Sequence, residues 1–151
     1  IISAIRNIRG EMNVPPVEQL KVILRTRNEE TEKAVRGNQS FIQHLAKVKE
    51  LIIGEEIKRP SYSAFAVVRN VEIFVPMDKS RMEEEAKRLR KEIAKIGKEI
   101  DFMNKKLSNE QFHSKAPPEV VQEVREKASE FQAQREKLGE SLMKIRDALS
   151  R

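Results

Sequence analysis

From Met82 to Leu149, apolar residues recur at alternating steps of three and four, in two runs separated by a polar segment ending in Pro117-Pro118. The first run is Met82, Ala86, Leu89, Ile93, Ile96, Ile100, Met103 and Leu107. The second is Val121, Val124, Ala128, Phe131, Arg135, Leu138, Leu142, Ile145 and Leu149. A mean step of about 3.5 residues keeps one narrow seam turned toward a partner helix, so the pattern predicts an antiparallel coiled-coil hairpin. Residues whose numbers sum to 227 or 228 then face each other: Leu107 with Val121, Ile96 with Phe131, Met82 with Ile145. Arg135, opposite Ile93, is the one polar seam residue, and either fixes register or serves function. Ser80 with Glu83 reads as a capping box opening a helix from about Arg81 to Leu107. Glu83, Glu84 and Glu85 would then lie in its first turn, and Pro118 suits the first position of the second helix. Gly97 and Gly139 fall off the seam and mark bend points or close approaches.

Upstream the period changes. Ile1, Ile5, Ile8 and Met12 share a helical stripe that Asn13-Val14-Pro15-Pro16 terminates, because a residue before proline is driven out of the α region. A helix this short needs something to cover its apolar face, either the next lobe or another molecule. Residues 19–76 read as a small α+β unit. Leu20, Val22 and Leu24 alternate against Lys21 and Arg25 as a strand over 19–26. Asn28 caps a short helix that Gly37 ends, and a second helix carries Phe41, Leu45 and Val48. Strand-like runs follow at 51–57, 62–68 and 71–75, with Pro60-Ser61 and Arg69-Asn70 as turns and Asn70 suited to positive φ. Phe65, Val67, Val71, Ile73 and Val75 would supply one packed face. The expected fold class is therefore α+β, a small lobe followed by a long two-helix hairpin.

Composition sharpens the hairpin's role. Charged residues make up 36% of the 151 and aromatics 5%, as in long exposed helices rather than a compact enzyme core. The net charge of +6 and a pI near 9.6 favour a polyanionic partner. Residues 79–151 hold 18 Lys and Arg against 14 Asp and Glu, so most of the excess lies there. Arg88, Lys91, Lys95 and Lys98 form one stripe at spacings of three and four, with Lys105, Lys106 and Lys115 around the tip. These seven are the candidate nucleic-acid contacts, which would neutralise phosphates without reading sequence. Phe112 either stacks on a splayed base or plugs the end of the seam.

Catalytic chemistry has no foothold. Cysteine is absent, and the two histidines are isolated: His44 beside an apolar helix face, His113 in the hinge without carboxylate or thiol neighbours. There is no glycine-rich phosphate loop, and no metal or bound cofactor is expected in this stretch. No apolar run approaches the roughly 18 residues of a membrane span, and no signal peptide precedes Ile1-Ile2, so the expected setting is cytoplasmic and the chain a piece of something longer.

The segment Lys105-Lys106-Leu107-Ser108-Asn109-Glu110-Gln111-Phe112, with Lys115-Ala116-Pro117 and Val120-Val121 after it, resembles the C-terminal hairpin of valyl-tRNA synthetases. Arg88-Leu89-Arg90-Lys91-Glu92-Ile93 is similar to that family's first hairpin helix. The stretch from Ile5 to Pro16 resembles the end of the family's anticodon-binding helical domain. Val124, His113 and Ser114 depart from the family's usual choices. The resemblance implies a parent that uses ATP to attach valine to its tRNA, with catalytic and editing domains upstream of Ile1. Met77-Asp78-Lys79-Ser80 only superficially resembles the lysine loop of such enzymes and is not expected to be catalytic. It further implies a division into 1–16 (end of the anticodon-binding domain), 17–78 (small lobe) and 79–151 (an arm holding the outer corner of the tRNA). The partner would be valine-specific tRNA and the chain monomeric, with the Ile1–Met12 face available for association. The competing expectation is a protein-interaction or scaffolding coiled coil with no RNA role.

Overall fold

A computed structural model describes residues 1–150. The architecture is α+β, and the chain separates into two compact units, residues 1–85 with the stretch from Lys144, and residues 86–143. Helix α1 (Ile2–Glu11) leads into strand β1 (Leu20–Arg25), then helices α2 (Glu29–Gly37) and α3 (Gln39–Ala46), strand β2 (Val48–Gly54), and strands β3 (Ser63–Val68) and β4 (Val71–Pro76). Three further helices follow: α4 (Lys79–Leu107), α5 (Glu110–Lys115) and α6 (Pro118–Ser150).

The sheet order is β2-β1-β4-β3, with β1 parallel to β2 and the other pairs antiparallel. Parallel strands need a crossover, which α2 and α3 supply. Asn28 starts α2 by accepting the Thr31 amide on its side-chain oxygen at 2.7 Å. Lys47 ends α3 in the left-handed region, φ 53°, and the chain turns straight into β2. Register places Val22 beside Leu51, Leu24 beside Ile53 and Ile73, and Val75 beside Ala64, all on one face. α1 packs over β3 and β4 on this face, while α2 and α3 pack toward β2. Ile5, Val22, Leu24, Ile73 and Val75 are sealed from solvent, each burial contributing roughly 1.5–3 kcal/mol.

The apolar stripe of α1 is therefore covered by the lobe. Ile5, Ile8 and Met12 are buried, so this face is not free for association. Asn13 follows with φ 48°, a left-handed conformation that asparagine tolerates better than most residues.

The second sheet face has a different cover. β2 and β3 lie on opposite edges, so residues 55–62 must cross the sheet between them. Ile57 lies against Gly54, where a Cβ would come within 3.2 Å of its side chain. The Arg25 guanidinium donates to the Ile57 carbonyl at 3.0 Å and sits 5.2 Å from the Phe74 ring centroid. Phe65 stacks on Phe74 at 5.3 Å, and Arg59 lies over Phe65 at 4.9 Å. Phe74 is fully buried on this face.

This corrects the expected packed face. The turn pairs Val68 with Val71, so Phe65 falls opposite Phe74 and Val67 opposite Glu72. Cross-strand partners share a face, so Phe65 and Val67 lie on the side away from Ile73 and Val75, and both are exposed. In the same turn the positive φ, 54°, falls on Arg69 rather than Asn70. In α3, Ile42 and Ala46 point inward while Phe41 and Leu45 are exposed, and Val48 belongs to β2. The eight residues of α3 make barely two turns, and those turns place Ile42 and Ala46, four apart, against the sheet.

The helix after the sheet begins at Lys79, with the Asp78 carbonyl accepting from the Met82 amide at 3.1 Å. Ser80 is thus inside the helix rather than its cap, and no acidic residue lies in the first turn. Lys144 with Glu11 at 2.5 Å, Arg81 with Glu18 at 2.6 Å and Arg59 with Asp147 at 3.6 Å tie the first turns of α4 and the end of α6 into the lobe. Met82, Ile145 and Ala148 are buried there.

The second unit is the hairpin of α4 from Ala86, α5, and α6 to Met143. Its seam is legible in burial. Ala86, Leu89, Ile96, Ile100 and Val121 are buried; Ile93, Met103, Leu107, Val124, Ala128, Phe131, Leu138 and Leu142 are half-buried. Arg135 is exposed, so the seam carries no buried charge at that layer. Gly97 and Gly139 have open space within the chain where a Cβ would stand. The hinge is more ordered than its polarity suggests: Asn109 accepts the Gln111 amide at 2.9 Å and starts the short helix α5. Ala116 then adopts the extended conformation required before proline, and Pro118 opens α6.

Candidate nucleic-acid interface

Twenty-nine residues of uninterrupted helix in α4 present Arg88, Lys91, Lys95 and Lys98 at successive three- and four-residue steps, close to one helical repeat. All four side chains are exposed. Arg88 donates to the Glu92 carboxylate at 2.6 Å, one turn along the helix. Lys91, Lys95 and Lys98 have no ion-pair or hydrogen-bond partner among the described residues. The stripe is therefore graded: one cation is held by a carboxylate, and three are offered to solvent.

The tip gathers the other three. Lys105 and Lys106 occupy the last turn of α4, where cations oppose the partial negative charge of the helix end. Lys115 lies in the last turn of α5. The Lys106 ammonium sits 4.8 Å from the Phe112 ring centroid, and the His113 ring meets Phe112 edge-on at 6.1 Å. The His113 Nε2 makes a close hydrogen bond with the Leu107 carbonyl. That bond crosses from the end of α4 to α5 and fixes the hinge. Phe112 is half-buried, with its face already engaged by a cation. Arg135, assigned to the seam by heptad position, instead joins the exposed cations of α6.

The lobe uses its cations differently. Arg6 donates from Nε and Nη2 to the Leu45 carbonyl at 3.1 and 2.8 Å. Arg9 is buried and donates from Nη2 to the carbonyls of Pro15 and Glu18 at 2.9 and 2.8 Å. Lys47 donates to the Pro16 carbonyl at 2.7 Å, and Arg36 to the Ile53 carbonyl at 2.7 Å. Arg25 grips Glu72 through two bonds, 2.5 and 2.9 Å. That grip holds the Glu72 carboxyl below the usual carboxylate range, with Arg25, Arg27 and Arg59 adding to the effect, and raises Arg25 further. Nothing in the spacing of Arg9 distinguished it from a surface arginine. Only the fold, by wrapping residues 13–18 around it, buries it.

Among the described residues no group of three or more His, Cys, Asp or Glu side chains is placed to hold a metal ion. No described helix is long and apolar enough to cross a membrane.

Comparison with known proteins centres on this hairpin. Residues 82–146 match the family described as the valyl tRNA synthetase tRNA binding arm. Over 97% of its length the chain is 41% identical to a valine–tRNA ligase of Geobacter sulfurreducens, covering 17% of that protein. It is 35% identical to the valine–tRNA ligase of Enterococcus faecalis and 32% to that of Bacillus subtilis, each again over 97% of the chain and 17% of the relative. The chain thus spans about one sixth of the length of the curated relatives it matches. With its hairpin matching the arm and nearly every residue aligned to these ligases, the chain belongs to the valyl-tRNA synthetase family and corresponds to the C-terminal region of its members.

Proposed function

We propose that this chain is the tRNA-holding C-terminal part of a valine–tRNA ligase. The whole protein would use ATP to attach valine to its tRNA, with that chemistry carried by residues outside this stretch. The supporting observation is the row Lys91, Lys95 and Lys98, exposed and unpartnered inside the segment that matches the arm family. A helix offering unpaired ammonium groups along one line lies against a phosphate backbone and releases counterions on contact. Arg88 and the tip residues Lys105, Lys106 and Lys115 extend the same surface. The contact positions the RNA without reading its bases, so identity of the tRNA is decided elsewhere in the protein. In this reading residues 1–16 complete the anticodon-binding region, 17–78 form a connecting lobe and 79–151 the arm, in a monomeric cytoplasmic protein.

The test is a salt series with folded valine tRNA and the full chain, comparing wild type with Lys91→Glu/Lys95→Glu/Lys98→Glu. Each lysine should contribute about one unit to the slope of log affinity against log salt, so the triple variant should lose roughly three. Circular dichroism confirms that the helices persist. A chain that forms a salt-resistant dimer and ignores tRNA would overturn the reading in favour of a scaffolding coiled coil.

A further inference from the structure

Two arginines of the lobe stand apart from the tethering set. Arg27 and Arg69 are exposed, and neither has a hydrogen-bond or ion-pair partner among the described residues. They line one groove of about 600 Å³ with Arg25, Thr26, Asn28, Val67, Asn70 and Glu72. Its single carboxylate, Glu72, is occupied by Arg25 through both oxygens. The pair cancels locally, so the groove keeps the two positive charges of Arg27 and Arg69.

The walls of the groove are fixed before any ligand arrives. Thr26 is buried, donates its amide to the Gly54 carbonyl at 3.3 Å and accepts the Asn28 amide on its hydroxyl at 3.3 Å. Arg27 sits between these two anchored residues, two positions past the end of β1. On the other side the Asn70 side chain donates to the Thr31 hydroxyl at 3.3 Å, joining the β3–β4 turn to α2. Arg69 occupies that turn at φ 54°, a conformation costly for a residue with a long side chain and no glycine-like freedom. No aromatic side chain lines the groove, so it offers no platform for a base. Guanidinium forks take two phosphate oxygens at once, and anchored backbone on both sides lowers the ordering cost of doing so.

We infer that the Arg27–Arg69 groove of the lobe is a second, sequence-independent contact for the phosphate backbone of the RNA that the arm holds. This rests on the tRNA-binding reading of the chain, but involves none of the arm's residues.

The experiment uses the full chain and the same folded tRNA, with three proteins: wild type, Arg27→Glu/Arg69→Glu, and the arm triple Lys91→Glu/Lys95→Glu/Lys98→Glu. The milder Arg27→Gln/Arg69→Gln guards against misfolding, and thermal melts check each variant. The groove variants should lower the salt slope by about two units for charge reversal, and somewhat less for neutralisation. An unchanged slope in folded groove variants, with the arm variant diminished, overturns this inference and leaves the arm reading standing. The opposite pattern overturns the arm reading and supports the groove. A wild-type chain that binds no tRNA at any salt overturns both. Two further arms identify the source of the anion. Inorganic phosphate at matched ionic strength should fail to protect the groove arginines from dicarbonyl modification as tRNA does; equal protection overturns the RNA assignment. A polyglutamate peptide bound by wild type and lost in folded groove variants, with the RNA slope kept, also overturns it and gives the groove to an acidic protein.

Discussion

The lobe and the hairpin are made from the same basic, aromatic-poor composition, yet most of their cations are used in opposite ways. In the lobe, Arg6, Arg9, Arg36 and Lys47 are fastened to backbone carbonyls, and Arg25 to a carboxylate and a carbonyl. In the hairpin, Lys91, Lys95 and Lys98 are exposed and make no hydrogen bond or ion pair among the described residues. Their apolar residues differ in the same direction. The lobe seals Ile5, Val22, Leu24, Ile73 and Phe74 completely, whereas most seam residues of the hairpin keep some exposure. A positive charge therefore says little until its partners are known. In the lobe most cations close loops, with Arg27 and Arg69 as exceptions, and in the hairpin a whole row is left for a ligand.

Mutation should widen or erase that contrast. The largest effect belongs to the lobe core: Phe74→Ala should cost about 3–5 kcal/mol in urea unfolding, because the ring is fully buried between Phe65 and Arg25. The half-buried Leu138→Ala should cost about 1–2 kcal/mol, near the low end for core truncation. Equal losses would remove the distinction between a sealed core and an open seam. Next comes Arg9→Met, which strands the Glu18 carbonyl, leaves Pro15 only its bond from the Glu18 amide, and should cost about 1–3 kcal/mol. Lys95→Met should stay within about 0.5 kcal/mol by the same assay, since it breaks no contact. A destabilised Lys95 variant would mean the stripe is structural after all.

The smallest expected effect is on acid stability. Glu72 has a folded-state pKa below its unfolded value, so its contribution is present above the ordinary glutamate range, near 4.3. It is lost as pH falls through the depressed folded value. Glu72→Gln should flatten the pH dependence of the melting temperature in that window and leave its shape above pH 6 unchanged. A parallel shift at every pH would mean the Arg25–Glu72 pair acts through packing alone.

Much of the hairpin was legible because its rules are local. A heptad step names the seam, Pro118 names the start of a helix, and the extended residue before Pro117 follows from sterics. The Asn28 cap and the lobe's strand-rich character were legible for the same reason. What escaped depends on residues distant in sequence. The cover of Ile5, Ile8 and Met12 stayed open between the next lobe and another molecule, because nothing nearby names β3 and β4. Phe65 was assigned to the wrong face although the two-residue turn fixes its partner as Phe74; counting outward from Val68 and Val71 would have placed it. The site splits likewise. The lysine stripe is a spacing within one helix, whereas Arg27 and Arg69 meet only because β1 and β4 pair antiparallel.

The segment crossing the second sheet face carries one more consequence. Gly54 and Val67 lie level across the sheet, so the path from Gly54 to Ser63 runs three strand spacings sideways and four residues along, about 20 Å in a straight line. Eight intervening residues reach at most about 30 Å, and they must also arch over Ile23 and Phe74. Length changes at this point are therefore tolerated in one direction only. Doubling the segment costs about 0.6 kcal/mol of closure entropy. Removing three residues leaves it unable to clear the Phe74 ring, and β3 must give up its pairing. Natural relatives should show insertions between Glu55 and Tyr62 far more readily than deletions, a bias that records the topology of the sheet in the lengths of sequences alone.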